Sequence, residues 1–181
     1  MKIKGTWREV ADAANTTVNK EEGTKEPSSL WKRRMLLCEH SPIRHLMVSH
    51  KWKNLKYWVS VHLTRHKYGI EHWVRTQRTD RTNVDRNDLP QGALVEHEIL
   101  VNAQALINIS RKRLCNLASP ETRKAWYELK GKIQEKEPEL AAVMVADCIY
   151  RGYCYEFKSC GYHKSEIFKS SLEVFRKGIN E

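Results

Sequence analysis

The sequence predicts one α+β domain spanning residues 1–181, in which helices flank a mixed sheet. Segments with helical spacing of apolar residues and segments with strand-like alternation are interspersed without regular alternation. No internal repeat or low-complexity tract interrupts them. The chain has 181 residues and is 40% hydrophobic, which suffices for one substantial core.

The first third of the chain is predicted to hold two helices, one strand and one ambiguous segment. Residues 6–18 have helical character and lead into a polar loop rich in Gly and Pro. Ser28 or Ser29 can cap the second helix. Residues 45–52 alternate in the manner of a half-buried strand. Residues 56–66 fit both periods, and we favour a helix.

The middle of the chain is predicted to contain a loop, a strand and a helix in direct succession. Residues 75–90 have few apolar side chains and several arginines, which indicates a solvated or ligand-facing loop. Residues 93–101 form a strand pattern that leads directly into a helix over residues 102–113.

The last third is predicted to be helical. Ser119 followed by Pro120 is a typical helix start, and Pro138 begins another helix. A final helix covers residues 165–178. Its inward-facing residues are predicted to be Ile167, Leu172 and Phe175.

The predicted helix 102–113 carries one unusual stripe. At about 100° per residue, Asn102, Leu106, Ile109 and Arg113 share one side of the helix. The stripe has polar ends and an apolar middle. Such a stripe is suited to lining a ligand cavity.

The net charge of +10 points to an anionic partner, because excess lysine and arginine concentrate anions near the surface. Nucleic acid and phosphorylated small molecules both fit, and composition does not choose between them. A basic surface without a specific function is the third reading.

Membrane and disulfide chemistry are not expected. No apolar run approaches the roughly 20 residues of a bilayer span, and the amino terminus lacks a secretory apolar stretch. We therefore expect a cytoplasmic protein. Five cysteines in a reducing compartment argue against a disulfide framework.

Three of the cysteines raise the question of a metal. Cys148, Cys154 and Cys160 precede His163, and zinc accepts such ligands, but structural zinc sites usually use tighter cysteine pairs. We therefore expect buried thiols in a packed tail and no metal site.

Several common enzyme signatures are missing from the sequence. There is no Gly-rich phosphate loop, no nucleophile elbow and no paired-histidine metalloprotease spacing. Arginines, histidines and amides on irregular backbone are left as candidate ligand-binding groups.

These groups occur in clusters with distinctive spacing, in residues 41–45, 65–81 and 86–123. The key positions are, in chain order, His45, Arg65-His66-Lys67, Arg86 before Leu89-Pro90, Asn102, Asn108, and Arg113-Leu114-Cys115 followed by Arg123. Together they resemble the flavin-dependent thymidylate synthases over most of the chain. The resemblance is that of a short, divergent member of the family.

The resemblance implies methylation of deoxyuridine monophosphate (dUMP) at C5 to give dTMP. Methylenetetrahydrofolate supplies the carbon, and FAD, reduced by NADPH, supplies the electrons. It further implies a homotetramer with sites at subunit interfaces. The implied substrate-binding residues are Thr76, Arg78, Arg86 and Arg113, of which Arg113 is also catalytic. The implied cofactor-binding residues are His45, Arg65, His66, Lys67, Glu71, His72, Asn102 and Asn108.

The sequence departs from the family pattern in three places. In the motif opened by Arg65, the usual Ser, Asn, Ser and Arg correspond without a gap to Ile70, His72, Arg75 and Gln77. Allowing one extra residue places Thr76 and Arg78 in the last two positions, and we adopt that alignment. The second departure lies upstream of that motif, where the usual glutamate of an "EH" pair is Arg44 and the usual glutamine is His62.

The third departure is a loop of seven residues, 79–85, where the family carries a long, largely helical excursion. These departures leave other functions open. They are hydroxymethylation of the same nucleotide, nucleotide binding without catalysis, and, in a different class, nucleic-acid binding through the arginines of residues 65–86. The absence of a known recognition motif argues against the last.

Overall fold

A computed structural model describes residues 1–177. Its centre is a four-stranded sheet in the order β1-β2-β4-β3. The strands are β1 (Lys2–Lys4), β2 (Met47–Lys56), β3 (Ile70–Val74) and β4 (Leu94–Asn102). The predicted strands at residues 45–52 and 93–101 correspond to β2 and β4. The strands β1 and β3 are not anticipated by the sequence patterns.

The α+β class is confirmed, but every described strand pairing is antiparallel, so the expected mixed sheet is corrected. Both β2 and β3 pair with β4 and therefore run in the same direction as each other. β2 and β3 are not hydrogen-bonded to each other, because β4 lies between them in the sheet. The sheet thus contains two strands that run in the same direction but are not neighbours.

Nine helices are described within residues 1–177. They are α1 (Trp7–Thr16), α2 (Ser29–Leu37), α3 (Tyr57–Thr64), α4 (Thr79–Thr82), α5 (Ala103–Arg113), α6 (Pro120–Gln134), α7 (Pro138–Val143), α8 (Asp147–Arg151) and α9 (Glu166–Arg176). The favoured helix at residues 56–66 is confirmed as α3. None of these helices is both long enough and apolar enough to span a bilayer.

Helix starts follow the capping residues in the sequence. The side chain of Ser28 accepts a hydrogen bond from the Trp31 amide, and Ser119 accepts one from Thr122. Asn102 caps α5 in the same way, through the Ala105 amide at 2.8 Å. Each side chain satisfies an amide that the first helical turn leaves unpaired.

The apolar part of the α5 stripe packs in the core instead of lining a cavity. Leu106 is fully buried and Ile109 is 2% exposed. The indole of Trp126 in α6 lies nearby and donates to Ser110 of α5 at 2.9 Å. Only the polar ends of the stripe, Asn102 and Arg113, therefore remain available to a ligand.

The last helix, α9, turns a different face inward from the one predicted. Ile167 is 70% exposed, whereas Phe168 and Phe175 are buried and Leu172 packs against the core. The inward stripe thus begins one residue later, since positions 168, 172 and 175 recur at helical spacing. The predicted helix end at residue 178 lies outside the described residues.

We expect Leu106→Ala to lower the free energy of unfolding by about 2–5 kcal/mol, because it leaves a cavity at a fully buried position of the hydrophobic core. Leu30→Ala is the matched control, since Leu30 is also helical but 45% exposed. Urea unfolding of both variants checks this. Equal losses in the two variants would contradict the described position of α5.

Candidate functional site

The carboxyl end of α5 places one arginine in an unusual environment. Arg113 is half-buried, and its Nε donates to Nε2 of His66 at 2.9 Å. Its Nη2 donates to the carbonyl oxygen of His62 at 2.5 Å. Both acceptors are neutral groups on or just after α3. These two hydrogen bonds therefore hold the guanidinium in place, and within residues 1–177 no carboxylate neutralises its charge.

The segment between α3 and β3 lies along α5. Its first part, at His66, contacts Arg113 at the end of α5, and its last part, at Gly69, contacts Asn102 at the start. The Asn102 amide donates to the Gly69 carbonyl at 2.9 Å. This short segment, residues 65–69, therefore joins the two polar ends of the α5 stripe.

Glycine is required at position 69 for two reasons. Its φ of +71° lies in the left-handed region, which disfavours side chains. A Cβ there would also stand 2.6 Å from Nδ2 of Asn102. The close approach of the turn to the α5 cap depends on this residue.

Two further histidines connect this segment to the sheet. His72 on β3 places Nε2 2.9 Å from the His66 carbonyl oxygen, and its Nδ1 lies 3.0 Å from Nε2 of His97 on β4. His97 is fully buried. The four residues Arg113, His66, His72 and His97 thus form a continuous series of contacts from the surface to the core.

Burial controls the protonation of these rings. It lowers the pKa of His66 to about 4, and the nearby charges of Arg113 and His72 act in the same direction. Burial also lowers the pKa of His97 to about 4, with a smaller contribution from His72. Both rings are therefore neutral at neutral pH.

The site carries positive charge that the chain does not neutralise. Burial lowers the pKa of Arg113, and the charge of nearby Arg65 lowers it further. Within residues 1–177 neither guanidinium forms an ion pair. An anionic ligand would relieve this repulsion, so the arrangement suits a phosphate or an electron-rich carbonyl.

The structure brings only part of the predicted site together. Hydrogen bonds through residues 65–69 connect four of the predicted residues, His66, His72, Asn102 and Arg113. Arg65 is close enough for its charge to lower the pKa of Arg113. Lys67 is exposed on the same segment but has no hydrogen bond among the described residues.

Three predicted cofactor-binding residues lie elsewhere on the chain. Asn108 is exposed on a different face of α5, where Gln104 donates to it at 3.4 Å. Glu71 points to the face of the sheet opposite His72, as neighbours in a strand do. His45 borders a separate shallow cleft of about 320 Å³ beside α1.

The predicted phosphate-binding residues lie on the exposed segment 75–90, which is irregular apart from α4 and a short 3-10 turn at Arg86–Asp88. Arg78 forms two hydrogen bonds with Asp80, at 3.0 and 2.8 Å, and its amide donates to Thr76. The Arg86 amide donates to Thr79. Within residues 1–177, no hydrogen bond joins the side chains of Thr76, Arg78 and Arg86 to Arg113.

Sequence reasoning missed His97, Gly69 and the role of His62. His97 had a detectable signal, because it occupies the inward phase of β4 between Val95 and Ile99, where an apolar residue is expected. His62 supplies a backbone carbonyl, for which side-chain identity gives no signal. Gly69 becomes informative only once the neighbouring asparagine is located.

A separate cleft, bordered by α6, α7, α8 and α9, contains none of the predicted site residues. It has a volume of about 780 Å³, and its lining includes Cys115, Cys148, Cys154 and Cys160. These thiols are half-buried or exposed, so the expected packed tail of buried thiols is corrected.

Burial raises the pKa of Cys148 to about 11, which leaves that thiol protonated. Within residues 1–177 no three potential ligands are arranged to hold a metal ion.

Comparison with known proteins establishes the fold. No family model and no curated protein matches the sequence. Among solved structures, the UMP/dUMP methylase PolB from Streptomyces cacaoi, bound with 5-Br dUMP, is similar with a TM-score of 0.63 and 12% identity, covering 81% of this chain and 95% of that chain.

Two structures of the flavin-dependent thymidylate synthase ThyX from Helicobacter pylori, both with FAD and dUMP, are also similar. One has a TM-score of 0.63 at 14% identity and covers 80% of this chain and 99% of that chain. The other has a TM-score of 0.58 at 14% identity and covers 75% and 97%. The chain therefore shares the fold of these enzymes.

The buried histidines predict a loss of stability in acid. The pKa values of His50, His66 and His97 are all lowered to about 4 by burial. An unfolded histidine has a pKa of about 6.5, so the unfolded chain binds more protons between these values. Stability is then fully present above about pH 6.5 and is lost as the pH falls toward 4.

His50→Phe separates one of these contributions, because neither ring nitrogen of His50 has a hydrogen-bond partner among residues 1–177. We expect the slope of unfolding free energy against pH to fall by up to one proton, about 1.4 kcal/mol per pH unit. Urea unfolding from pH 7.5 to 4.5 measures the slope. Identical slopes for variant and wild type would contradict the assignment.

Proposed function

We propose that the protein is a flavin-dependent thymidylate synthase that methylates dUMP at C5 to give dTMP. The main support for this proposal is the half-buried guanidinium of Arg113, whose two hydrogen bonds within residues 1–177 go to neutral acceptors and which lies near Arg65. The shared fold with two enzymes whose solved structures contain dUMP or its 5-bromo analogue supports the same substrate class.

Arg113 is suited to contact the pyrimidine. Its bonds to His66 and His62 occupy one edge of the guanidinium, and within residues 1–177 the N–H groups on the other edge have no acceptor. A planar fork of donors recognises a carbonyl or phosphate with fixed geometry. The hydrogen bonds to His66 and His62 thus place these donors before the ligand arrives, which lowers the entropic cost of binding.

FAD fits the same region of the chain. Arg65, His66, Lys67 and Asn102 line the segment along α5, and the unneutralised charge there suits the anionic diphosphate of the cofactor. When bound, FAD reduced by NADPH supplies the electrons for the reaction, with methylenetetrahydrofolate as the carbon donor. The chain's own residues bind and orient the reactants.

A homotetramer would explain the scattered positions of the remaining residues. His45, Glu71 and Asn108 are exposed and are not among the hydrogen-bond partners of Arg113 within residues 1–177, and Arg86 lies on an exposed segment. Sites built from several subunits would bring such surfaces to the ligands of a neighbouring chain. The phosphate of dUMP is then held by Thr76, Arg78 and Arg86, with Arg78 exchanging its Asp80 partner for the ligand.

A second candidate is hydroxymethylation of the same nucleotide. It is favoured by the short excursion after Arg78, where only the four-residue helix α4 stands in place of a longer cover. A more open site admits water, which can compete for the carbon transferred from folate. Mass analysis of the product distinguishes the two reactions.

We expect purified protein with dUMP, FAD, methylenetetrahydrofolate and NADPH to form dTMP. Arg113→Lys should lower kcat/KM for dUMP by about 100-fold, because an ammonium cannot replace the planar fork. Arg34→Lys, on the exposed face of α2, is the matched control and should retain activity. Unchanged kcat/KM in the Arg113 variant, or no nucleotide product from the wild type, would contradict the proposal.

Mixed tetramers test the shared site. Arg86→Gln and Arg113→Gln should each abolish most activity, and mixing the two inactive proteins under subunit exchange should restore part of it. Restoration follows if one subunit supplies Arg86 and another supplies Arg113, because some mixed sites then contain both native arginines. No gain on mixing, after exchange is verified by mass spectrometry, would place both residues in one subunit.

A further inference from the structure

The series of contacts from His97 through His72 to His66 ends on Arg113, and we call these three residues the histidine chain. We propose that His97 and His72 are positioning residues, which orient Arg113 through a fixed arrangement of protons in the histidine chain. The ligand of Arg113 in this inference rests on the proposed function. The proton arrangement follows from the contacts alone.

The bond to Arg113 determines the proton of His66. A guanidinium can only donate, so Nε2 of His66, which receives the Arg113 bond at 2.9 Å, must carry a lone pair. The proton of the neutral His66 ring is therefore on Nδ1. Protonation of both nitrogens would break this bond and place two positive groups in contact.

The carbonyl of His66 determines the proton of His72. A carbonyl oxygen can only accept, so Nε2 of His72, at 2.9 Å from it, carries the proton. In the neutral ring, Nδ1 of His72 is then an acceptor. When His72 is neutral, Nε2 of His97, which lies 3.0 Å from this acceptor, is therefore the donor. Each proton in the histidine chain thus follows from the group next to it.

A histidine at position 97 costs folding free energy, because it places a polar ring in the core. His97 lies on the central strand β4, opposite Trp52 of β2 and Val74 of β3, and is fully buried. Its other nitrogen, Nδ1, has no hydrogen-bond partner in the described part of the chain. An apolar side chain would avoid this unsatisfied group and suit the core better. The chemistry that histidine adds at this position is donation to His72.

Donation from His97 holds the ring of His72, and His72 holds the backbone of the segment that carries His66. The ring of His66 then faces Arg113, whose Nη2 is directed to the His62 carbonyl. Without the His97 donor, His72 can rotate away from the His66 carbonyl. The segment loosens, Arg113 explores other rotamers, and ligand affinity falls although the core remains intact.

Two substitutions at His97 separate positioning from packing. His97→Gln keeps an N–H donor near the position of Nε2, whereas His97→Leu fills the core without any donor. We expect His97→Leu to weaken dUMP binding about 10-fold, the effect of losing one hydrogen bond's contribution. His97→Gln should remain within about 3-fold of wild type. The melting temperature of His97→Leu should equal or exceed that of the wild type.

A second measurement does not depend on dUMP. NMR of full-length protein labelled with ¹³C and ¹⁵N at histidine distinguishes the two neutral ring forms. At pH 7 we expect the Nδ1–H form for His66 and the Nε2–H form for His72 and His97. In His97→Leu the signals of His72 should broaden or shift, while those of the exposed His45 should not.

The outcomes separate this inference from the proposed function. Any other assignment of the three ring forms overturns the inference, and so does His97→Leu with unchanged affinity in a protein that binds dUMP. The expected ring forms in a protein that fails to bind dUMP support the histidine chain and overturn the proposed function instead.

Discussion

The structure of the site depends on a half-buried guanidinium that has no carboxylate partner within residues 1–177. Arg113 is held by a ring nitrogen and a carbonyl oxygen, so its position is fixed while its charge remains available. Most buried charges in proteins are paired, because removing an ion from water is costly. In the proposed function an anionic ligand supplies this compensation, and the charge of Arg65, which lowers the pKa of Arg113, favours such a ligand.

The fold supplies this arrangement through one junction. Strand β4 leads into α5 at Asn102, and the segment that follows α3 runs along the same helix before joining β3. The close contact of Gly69 with Asn102 fixes one end, and His66 with Arg113 fixes the other. A rigid helix and a central strand thus hold the positions of side chains that would be mobile on a free loop.

Much of this could be predicted from the sequence where the signal is local. The helix starts at Ser28 and Ser119 and the periodic helices depend on near neighbours, and the structure has them. Strand β3 was missed because its five residues include Glu71, His72 and Trp73, which show no clear alternation. Its pairing with β4 is a tertiary effect. The connection of His66 to Arg113 spans 47 residues and cannot be read from spacing.

The central claim is that the free edge of Arg113 contacts a pyrimidine nucleotide. A crystal structure of the full chain with FAD and dUMP tests it most directly. The account predicts a nucleotide oxygen at about 3 Å from the guanidinium edge opposite His66, with that histidine bond retained. Clear density for dUMP at any other place, with Arg113 bonded only to protein groups, would contradict it.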